Sequence, residues 1–467
     1  MNGKSVILPL KGLVFVVSLL TSSTLLAQQI QRKGSLGVAY YQSVPDTLAK
    51  RLSFKEGVIV QFPLPNTTAQ KLGMMADDII VSLNEKLVKA APDLLANIKN
   101  LRANDKIEVT VIRKGKTQVL KGLVVPRPLE TSSTADVVYG DFAYKNGYVR
   151  TIYKTLKGKK PVGTIYFLQG LPCYSIDNFK ELDMTKQALD AMVAQGFAVY
   201  RIEKGDMGDN VNTPVCETMG FNEELEMYME GYKNLLTLKE VDTSKIFLFG
   251  HSMGGVTAPL LAQRFQPRGV AVYGTVFKPW SDYLLDAVLK QPLYYGEDLA
   301  ELREMIEKIK PYVNQFFYSD KTAEEISKTP EGEFAMRTIM DYNPQTKLAA
   351  SGRAPLCHKE LNQHNLARAW ANTNGHVLAI YGECDIAAIN PDDHKALIDY
   401  VNKIHPGKGR FWLAAGTTHT FEEIGTMDQF IKWQRNPTAY YQYASTRFNP
   451  KVFEYTCNWM KEVLQKG

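Results

Sequence analysis

Residues 245–254 constrain this chain more than any other segment. The buried-type strand sequence Lys245-Ile246-Phe247-Leu248-Phe249 is followed directly by Gly250-His251-Ser252-Met253-Gly254, which has the pattern G-x-S-x-G. An apolar run before this pattern and a helical sequence after it predict a sharp turn from a buried strand into a helix. Glycines at such a turn permit strained backbone and close helix packing. We therefore expect Ser252 to project its hydroxyl away from a sheet, as a candidate nucleophile.

The sequence around this turn alternates between apolar strands and amphipathic helices. Nearly all-apolar strands that alternate with helices indicate a mostly parallel sheet covered on both faces. Residues 278–374 interrupt the alternation with charged helical sequence, which predicts a helical cap inserted into the sheet domain. The predicted strands are 151–155, 163–168, 198–202, 246–250, 270–273, 377–381 and 411–414, and the predicted helices are 185–194, 222–236, 253–264, 394–403 and 452–464.

A serine hydroxyl needs a neighbouring base before it can act as a nucleophile. Of the seven histidines, His419 fits best, because it stands in the loop 416–421 after the last predicted strand and so follows the order serine, acid, histidine. The other six lie in the turn, in the predicted cap or at the ends of predicted elements: His251, His358, His364, His376, His394 and His405.

The acid that orients the histidine is expected at the end of the strand before it. Asp385 closes the segment 379–385 and precedes His419 by 34 residues, which is enough for one helix and one strand. Glu383 is the second candidate. Asp392 and Asp393 are weaker candidates, because the next helix begins there. A role for Asp385 in the turn alone stays open.

Acyl transfer also requires two backbone N–H groups that stabilise an oxyanion. One is expected from Met253, the residue after the candidate nucleophile. The second is expected from the loop Gln169-Gly170-Leu171-Pro172-Cys173 after the strand 163–168, with Leu171 as the donor.

These features resemble the α/β-hydrolase superfamily over residues 136–467, and within it bacterial esterases and S33-like serine peptidases. Most members have His-Gly where this chain has Gln169-Gly170, a difference that leaves the backbone donor unchanged. The segment 203–209, which leads to Pro214-Val215-Cys216, is expected beside the oxyanion loop. A disulfide between Cys173 and Cys216 is one hypothesis, and two free buried thiols are the other; the odd total of five cysteines leaves at least one without an intrachain partner.

The sequence pattern of residues 34–125 differs from that of the α/β region: short β-like runs are separated by turn-prone residues. A helix is predicted from Asp93, at an N-cap-like position, to Leu101, and a short one over 67–72 ends at Gly73. This region, with bounds 31–127, resembles the PDZ domains of bacterial periplasmic serine proteases, although Asp77 stands where those domains usually have Gly. The resemblance rests on Gly34-Ser35-Leu36-Gly37-Val38, Glu56-Gly57-Val58-Ile59-Val60, residues 65–73, Asp77-Asp78-Ile79-Ile80, Ala91-Pro92-Asp93-Leu94-Leu95 and residues 109–115.

The PDZ resemblance implies recognition of a peptide C-terminus. Backbone N–H groups of Ser35, Leu36, Gly37 and Val38 would hold the terminal carboxylate, and a groove would lie between 36–41 and the helix 93–101. A domain that only packs on or spaces the catalytic unit is equally compatible with the sequence. Residues 128–135, rich in Pro, Thr and Ser, are predicted to be a linker to the α/β-hydrolase domain.

The first 27 residues are typical of a cleaved signal peptide. Lys4 and Lys11 precede the apolar run 13–20, and Ala27 stands at the expected cleavage position. The run is short for a membrane-spanning helix, so we expect a periplasmic or secreted protein without a stable membrane span. The formal net charge is +6, and the basic residues form no dense block along the sequence. We therefore expect no nucleic-acid partner.

The sequence thus predicts an α/β protein with a mostly parallel α/β-hydrolase sheet, an inserted cap and a preceding α+β PDZ domain. Its expected activity is hydrolysis of a carboxylic ester by Ser252, His419 and Asp385. A serine peptidase of the S33 type with PDZ-assisted peptide binding is the alternative, and a non-catalytic peptide-binding scaffold is the third. Neither a metal nor an organic cofactor is expected, because no HExxH, CxxC or dinucleotide motif occurs.

Overall fold

Helices contribute more residues than strands to the computed structural model, which describes residues 30–177 and 180–466 and contains an eight-stranded, a six-stranded and a two-stranded sheet. The predicted signal peptide, residues 1–27, lies outside the described residues. Across the described part of the chain, no helix is both long enough and apolar enough to cross a bilayer.

The N-terminal unit is a small sheet with three short helices. Its strands are β1 (Gly34–Ser35), β2 (Val38–Tyr40), β3 (Val58–Pro63), β4 (Ile79–Leu83), β5 (Lys86–Leu87), β6 (Lys106–Arg113), β7 (Lys116–Leu123) and β8 (Val125–Pro126), and its helices are α1 (Asp46–Leu52), α2 (Thr68–Lys71) and α3 (Ala91–Ile98). The main sheet has the order β2-β3-β4-β6-β7, with β5 paired to β4, and β1 pairs separately with β8. Strand β2 is therefore an edge strand.

Two aspartates in this unit, Asp93 and Asp77, lie at turns. The helix predicted from Asp93 begins earlier, at Ala91, so Asp93 is not its N-cap. Its carboxylate instead accepts hydrogen bonds from the backbone N–H groups of Lys89 and Ala90, at 2.9 and 3.1 Å. Asp77 has φ 70°, so the turn keeps the left-handed backbone that glycine usually provides. Helix α1 was not predicted.

The second unit contains a large sheet flanked by helices. Its strands are β9 (Ala135–Tyr144), β10 (Gly147–Leu156), β11 (Thr164–Leu168), β12 (Ala198–Ile202), β13 (Ile246–His251), β14 (Gly269–Tyr273), β15 (His376–Cys384) and β16 (Gly409–Thr418). Its helices are α4 (Met184–Ala194), α5 (Phe221–Thr237), α6 (Gly254–Phe265), α7 (Trp280–Lys290), α8 (Leu299–Tyr318), α9 (Ala323–Ile326), α10 (Pro330–Met340), α11 (Pro355–Leu361), α12 (Leu366–Ala371), α13 (Asp392–Ile404), α14 (Met427–Gln434), α15 (Pro437–Ala444) and α16 (Lys451–Gln465).

The strand order is β16-β15-β14-β13-β11-β12-β10-β9. Strands β11 to β16 are parallel to their neighbours in this group, whereas β10 is antiparallel to both β12 and β9. The predicted mostly parallel α/β sheet is confirmed. Because the carboxyl ends of parallel strands meet at one edge, the loops that follow β11, β13, β15 and β16 lie together.

Helices cover both faces of this sheet. One face packs on α5 and α6 through residues such as Leu248 and Val272, and the other packs on α4 and α16 through Phe247 and Phe249. All six residues of β13 are buried, and each large apolar side chain buried in this way contributes about 1.5–3 kcal/mol. The strand before Ser252 is therefore held rigidly from both sides.

The six helices α7 to α12 lie between β14 and β15 in the sequence, as expected for the cap over 278–374. Their apolar side chains join the main core cluster, which includes Val313, Phe316 and Trp370. The predicted linker 128–135 needs one correction, because its last residue, Ala135, begins β9. Helices α14 and α15 were not predicted.

The N-terminal unit is bound to the second unit by arginines. Arg32 pairs with Asp177 and, at 2.7 Å, with Asp209. The Arg102 guanidinium donates to the carbonyls of Asp209 and Asn210, at 3.0 and 2.7 Å. Asp209 and Asn210 belong to the loop that follows β12, whereas Asp177 belongs to the segment that follows β11.

Candidate active site

Ser252 lies at the predicted turn between β13 and α6. Its φ of 56° is in the left-handed region, which is strained for a residue with a side chain. The turn is close-packed: a β-carbon on Gly254 would lie 2.1 Å from the carbonyl oxygen of Leu168. The Ser252 N–H donates to Tyr273 O at 2.9 Å. Neighbouring strands thus hold the backbone conformation that exposes the hydroxyl.

His419 and Asp385 come together at the carboxyl edge of the sheet. His419 Nδ1 lies 2.8 Å from Asp385 Oδ2 and 2.9 Å from Oδ1. Asp385 is fully buried, and its Oδ1 also accepts from the Ala388 N–H at 2.8 Å. A carboxylate bound to Nδ1 orients the ring and leaves Nε2 available to accept a proton.

The pair shifts the pKa values of both groups. Burial alone lowers the pKa of His419, but the charge and hydrogen bond of Asp385 outweigh it, so the pKa lies above its ordinary 6.5. Burial alone raises the pKa of Asp385, and His419 reverses this, so that pKa lies below its ordinary range. The acid therefore stays ionised while the imidazole is a stronger base than usual.

Ser252 and His419 line one small cavity of about 20 Å³, with Met253, Val256, Gly274, Val276, Trp280, Tyr283 and Ala387. Trp280 and Tyr283 belong to α7, so the cap forms the roof. The cap is bound to the loop after Asp385, since Tyr283 Oη donates to Ala387 O at 2.9 Å and Gln291 Nε2 donates to Ile386 O at 3.0 Å.

Gly274 is a site residue that the sequence analysis missed. It follows β14 with φ 62°, and a β-carbon there would lie 2.7 Å from Asp385 Oδ2 and 2.8 Å from His419 Nδ1. Glycine is required because the backbone passes directly against the histidine and the carboxylate. A glycine directly after the predicted strand 270–273 was the available signal.

The other acidic candidates lie elsewhere. Glu383 is exposed, and its carboxylate accepts from the Gly416 N–H at 2.8 Å. Asp392 begins α13, and Asp393 pairs with Lys278 at 3.1 Å. Of the four acids considered, only Asp385 contacts His419 among the described hydrogen bonds and ion pairs.

Two further histidines support the site without facing the cavity. His251 Nε2 lies 2.8 Å from His419 O, and His394 Nε2 accepts from the Thr275 N–H at 3.1 Å. Burial lowers the pKa of His251 to about 3 and that of His394 to about 4. Both rings are therefore neutral at physiological pH and act in packing and in orienting backbone.

The loop after β11, which carries the candidate oxyanion donor Leu171, lies against Ser252. A β-carbon on Gly170 would be 3.2 Å from Ser252 Cβ. Met253, the other candidate donor, precedes the first residue of α6. Both predicted donor segments therefore lie next to Ser252.

The far end of this loop is held by a disulfide and a buried acid. Cys173 and Cys216 form the hypothesised bridge, with their Cα atoms 5.9 Å apart, and the three other cysteines are buried and free. Glu203 accepts from Ser175 Oγ at 2.5 Å and from the Ile176 N–H at 3.1 Å. Sequence analysis did not identify Glu203.

The candidate peptide-binding loop 35–38 lies between β1 and the edge strand β2. Gly37 has φ 72°, and a β-carbon there would overlap the Thr67 side chain. Leu36 is buried, and its carbonyl accepts from the Ala69 N–H at 2.8 Å. Ser35 pairs with Val125, so its backbone belongs to the β1–β8 ladder. Its inclusion among the carboxylate donors stays a prediction.

Within the described residues, no three His, Cys, Asp or Glu side chains are grouped so that they could hold a metal ion. The arrangement of Ser252, His419 and Asp385 at the carboxyl edge of a mostly parallel sheet is that of an α/β hydrolase. The N-terminal unit is a small β-sheet with short helices and an exposed edge strand, β2, as in a PDZ domain.

Family comparisons agree with these two assignments. Residues 32–122 match a family model described as PDZ domain, and residues 180–331 match one described as serine aminopeptidase, S33. The chain therefore consists of a PDZ domain followed by an α/β-hydrolase domain.

Curated relatives share a short stretch with this chain. A probable serine protease do-like protein of Buchnera aphidicola is 33% identical over 111 residues, covering 22% of this chain and 23% of the relative. Serine protease Do-like HtrB of Bacillus subtilis is 35% identical over 79 residues, 17% of each chain. The chain thus spans about a fifth of the length of these relatives, and their activity does not transfer by this similarity.

Solved structures with similar folds include a lipase in its open form, with TM-score 0.41, 14% identity, and coverage of 70% of this chain and 99% of the other. A proline iminopeptidase of Mycobacterium smegmatis has TM-score 0.39, 13% identity, and coverage of 70% and 98%. Likeness at this level assigns no activity.

Proposed function

We propose that this protein is an exported serine hydrolase that cleaves carboxylic esters through an acyl-enzyme on Ser252. The observation that carries the proposal is the buried Asp385 carboxylate, 2.8 Å from Nδ1 of a histidine that faces Ser252 across a shared cavity. A serine, a histidine with raised basicity and a buried ionised acid are the groups that nucleophilic acyl transfer requires.

The reaction begins when Ser252 Oγ attacks the ester carbonyl carbon and its proton passes to His419 Nε2. The carbonyl oxygen becomes an oxyanion, which the N–H groups of Met253 and Leu171 stabilise. The C–O bond to the alcohol then breaks, and the imidazolium gives its proton to the leaving oxygen. Asp385 remains ionised and stabilises the charged ring.

Water completes the cycle. It attacks the acyl carbon while His419 Nε2 takes one of its protons, and the second tetrahedral intermediate releases the carboxylic acid as the proton returns to Ser252 Oγ. A cavity of about 20 Å³ beside Ser252 is close to the volume that one water requires. The enclosed space therefore favours a small acyl group.

A serine peptidase is the second candidate, and the match of residues 180–331 to the serine aminopeptidase family favours it. The same groups cleave an amide when His419 protonates the leaving amine. The PDZ domain adds support, because peptide binding is what such a domain can offer.

The test compares a short-chain p-nitrophenyl ester with an aminoacyl anilide, using purified protein and its Ser252→Ala variant. Ester turnover that disappears in the variant supports the esterase, and anilide turnover of comparable kcat/KM supports the peptidase. Absence of both, together with absence of fluorophosphonate labelling, would contradict both candidates and favour the non-catalytic scaffold.

For the PDZ domain we propose capture of a peptide C-terminus at residues 35–38, with the peptide added as a strand beside β2. The edge position of β2 supports this. Fluorescence polarisation should show binding of hydrophobic peptides with a free carboxylate and at least tenfold weaker binding of the same peptides amidated. Equal binding of both forms would contradict it.

Export rests on the signal-like sequence and on the Cys173–Cys216 disulfide, which suits an oxidising compartment. Fractionation of expressing cells should place the protein outside the cytoplasm, with Gln28 as its first residue. A cytoplasmic protein that retains residues 1–27 would contradict export.

A further inference from the structure

A buried lysine lies beneath the candidate oxyanion loop. Lys204 follows β12, and its side chain is 0% exposed. Its Nζ donates to the carbonyl oxygen of Gly170 at 2.5 Å and to that of Leu171 at 3.2 Å. The catalytic steps described above do not use this ammonium group, although it contacts the loop that they require.

Two other charged side chains hold Lys204 in place. Its Nζ lies 2.9 Å from Glu224 Oε1, and the other oxygen of Glu224 lies 2.7 Å from Arg353. Arg353 is also 0% exposed, and it donates to Leu171 O at 3.0 Å. Buried charges are costly unless paired, and here two cations share one carboxylate. The loop carbonyls of Gly170 and Leu171, together with the carbonyl of Met219, accept further hydrogen bonds from the two cations.

The Gly170 carbonyl belongs to the same peptide unit as the Leu171 N–H. The described residues contain no cis peptide bond, so this C=O and this N–H point in opposite directions. Since the C=O is bound by Lys204, the N–H is directed away from the lysine. Gly170 lies against Ser252, because a β-carbon added to Gly170 would be 3.2 Å from Ser252 Cβ. A cation on the C=O also polarises the amide and strengthens its N–H as a donor.

We propose that Lys204, held by Glu224 and Arg353, is a positioning residue that fixes the Gly170–Leu171 peptide so that its N–H stabilises the oxyanion. This inference rests on the proposed serine hydrolase function and adds to it the group that prepares the oxyanion hole before substrate arrives. The substrate does not touch Lys204.

The direct test is the variant Lys204→Met, which keeps an unbranched side chain as far as the ε position, removes the ammonium group and leaves Glu224 paired with Arg353. Loss of one oxyanion donor lowers kcat by about 10²–10³, and a misplaced donor should lower it by roughly 10- to 100-fold. KM should stay within about twofold, because the interaction forms in the transition state. Affinity for a trifluoromethyl ketone analogue of the ester should fall in parallel with kcat/KM.

The chain contains a matched control. Lys154 pairs with Glu130 at 2.5 Å, and Arg201 pairs with the other oxygen of Glu130, so the same lysine, glutamate and arginine occur together, with Asp190 as an additional partner of Lys154. Lys154 is 3% exposed and lies opposite Val199, near the start of β12 and away from the serine. Lys154→Met should lower the thermal midpoint as Lys204→Met does, while kcat changes less than twofold.

If Lys204→Met does not fold, Lys204→Gln replaces it, since Gln keeps a neutral polar group near Glu224 but removes the cation from the Gly170 carbonyl. A folded variant with wild-type kcat, or one in which only KM rises, would overturn the inference while wild-type turnover and labelling leave the hydrolase function standing. A wild-type protein without turnover or labelling would overturn both.

Discussion

Gly274 lies so close to His419 that a β-carbon added to it would stand 2.8 Å from the imidazole Nδ1. The same atom would be 2.7 Å from Asp385 Oδ2, so any side chain at 274 must displace one member of the pair. Gly274→Ala should therefore reduce kcat/KM for the ester by at least about 100-fold, since misplacement by about 1 Å has that effect.

Gly407→Ala provides the control for backbone strain. Gly407 has φ 77° and nothing within 4 Å of an added β-carbon, so the variant should lose about 1–2 kcal/mol of stability from its left-handed backbone and keep wild-type kcat/KM. Equal activity of the two variants would show that Gly274 does not serve the site.

The pH dependence of activity should follow His419. Because Asp385 raises the pKa of His419 above its ordinary 6.5, the basic ring that accepts the serine proton is lost as pH falls through a value above 6.5. The acid limb of kcat/KM should lie above that pH. In Asp385→Asn the limb should shift downward and kcat should fall by about 10⁴. An unchanged limb in Asp385→Asn would contradict the assignment of Asp385.

Protein stability should depend on pH through Glu203. Burial raises the pKa of Glu203 to about 7, and the nearby Asp177 and Asp209 act in the same direction. The folded protein therefore keeps this proton at pH values where the unfolded chain has lost it, and stability should decrease as pH rises from about 4.5 to about 7. Each pH unit in that range corresponds to about 1.4 kcal/mol.

Chemical denaturation of the wild type and of Glu203→Gln between pH 4.5 and 7 measures this dependence. The variant should show a flatter decrease over the interval. Parallel curves for the two proteins would mean that Glu203 is ionised in the folded state throughout.

The size of the acyl group that the enzyme accepts should depend on Val276. It lines the cavity beside Ser252 and is 5% exposed. Val276→Ala should raise the ratio of kcat/KM for a butyryl ester to that for an acetyl ester. Val313→Ala removes the same atoms from a fully buried position on the cap helix α8, outside the residues that line the cavity, and should leave the ratio unchanged, although both variants lose stability. A ratio unaffected by Val276→Ala would place the acyl group elsewhere.

Sequence order was sufficient to propose Ser252, Asp385 and His419 as candidates, because each follows a strand in the parallel part of the sheet, and parallel strands end at a common edge. The same reasoning could not select Gly274, whose importance depends on how closely β14 lies to the side chains from β15 and β16. Lys204 and Arg353 are 149 positions apart, and only tertiary packing brings both to the loop after β11. Chain order therefore identifies candidate reacting groups more readily than it identifies the residues that pack around them.

Local elements were missed for similar reasons. Strand β9 is stabilised by its ten-residue pairing with β10, a partner that a local pattern does not reveal. Helix α14 contributes Phe430 and Ile431 to a small cluster with Cys384, and two buried residues give little helical periodicity. The sequence suggested a helix start at Asp93 because this acidic residue follows Pro92. The helix instead begins at Ala91, and the Asp93 carboxylate accepts hydrogen bonds from the N–H groups of Lys89 and Ala90, which precede it.

The most direct test of the account is to identify the residue that reacts with a fluorophosphonate, by mass spectrometry of the intact and digested protein. We predict one adduct, on Ser252, that is absent in Ser252→Ala, strongly slowed in His419→Ala, and unaffected in Ser281→Ala, which changes a buried cap serine. Labelling at another serine, or no labelling of folded wild-type protein, would contradict the assignment of Ser252 as the nucleophile.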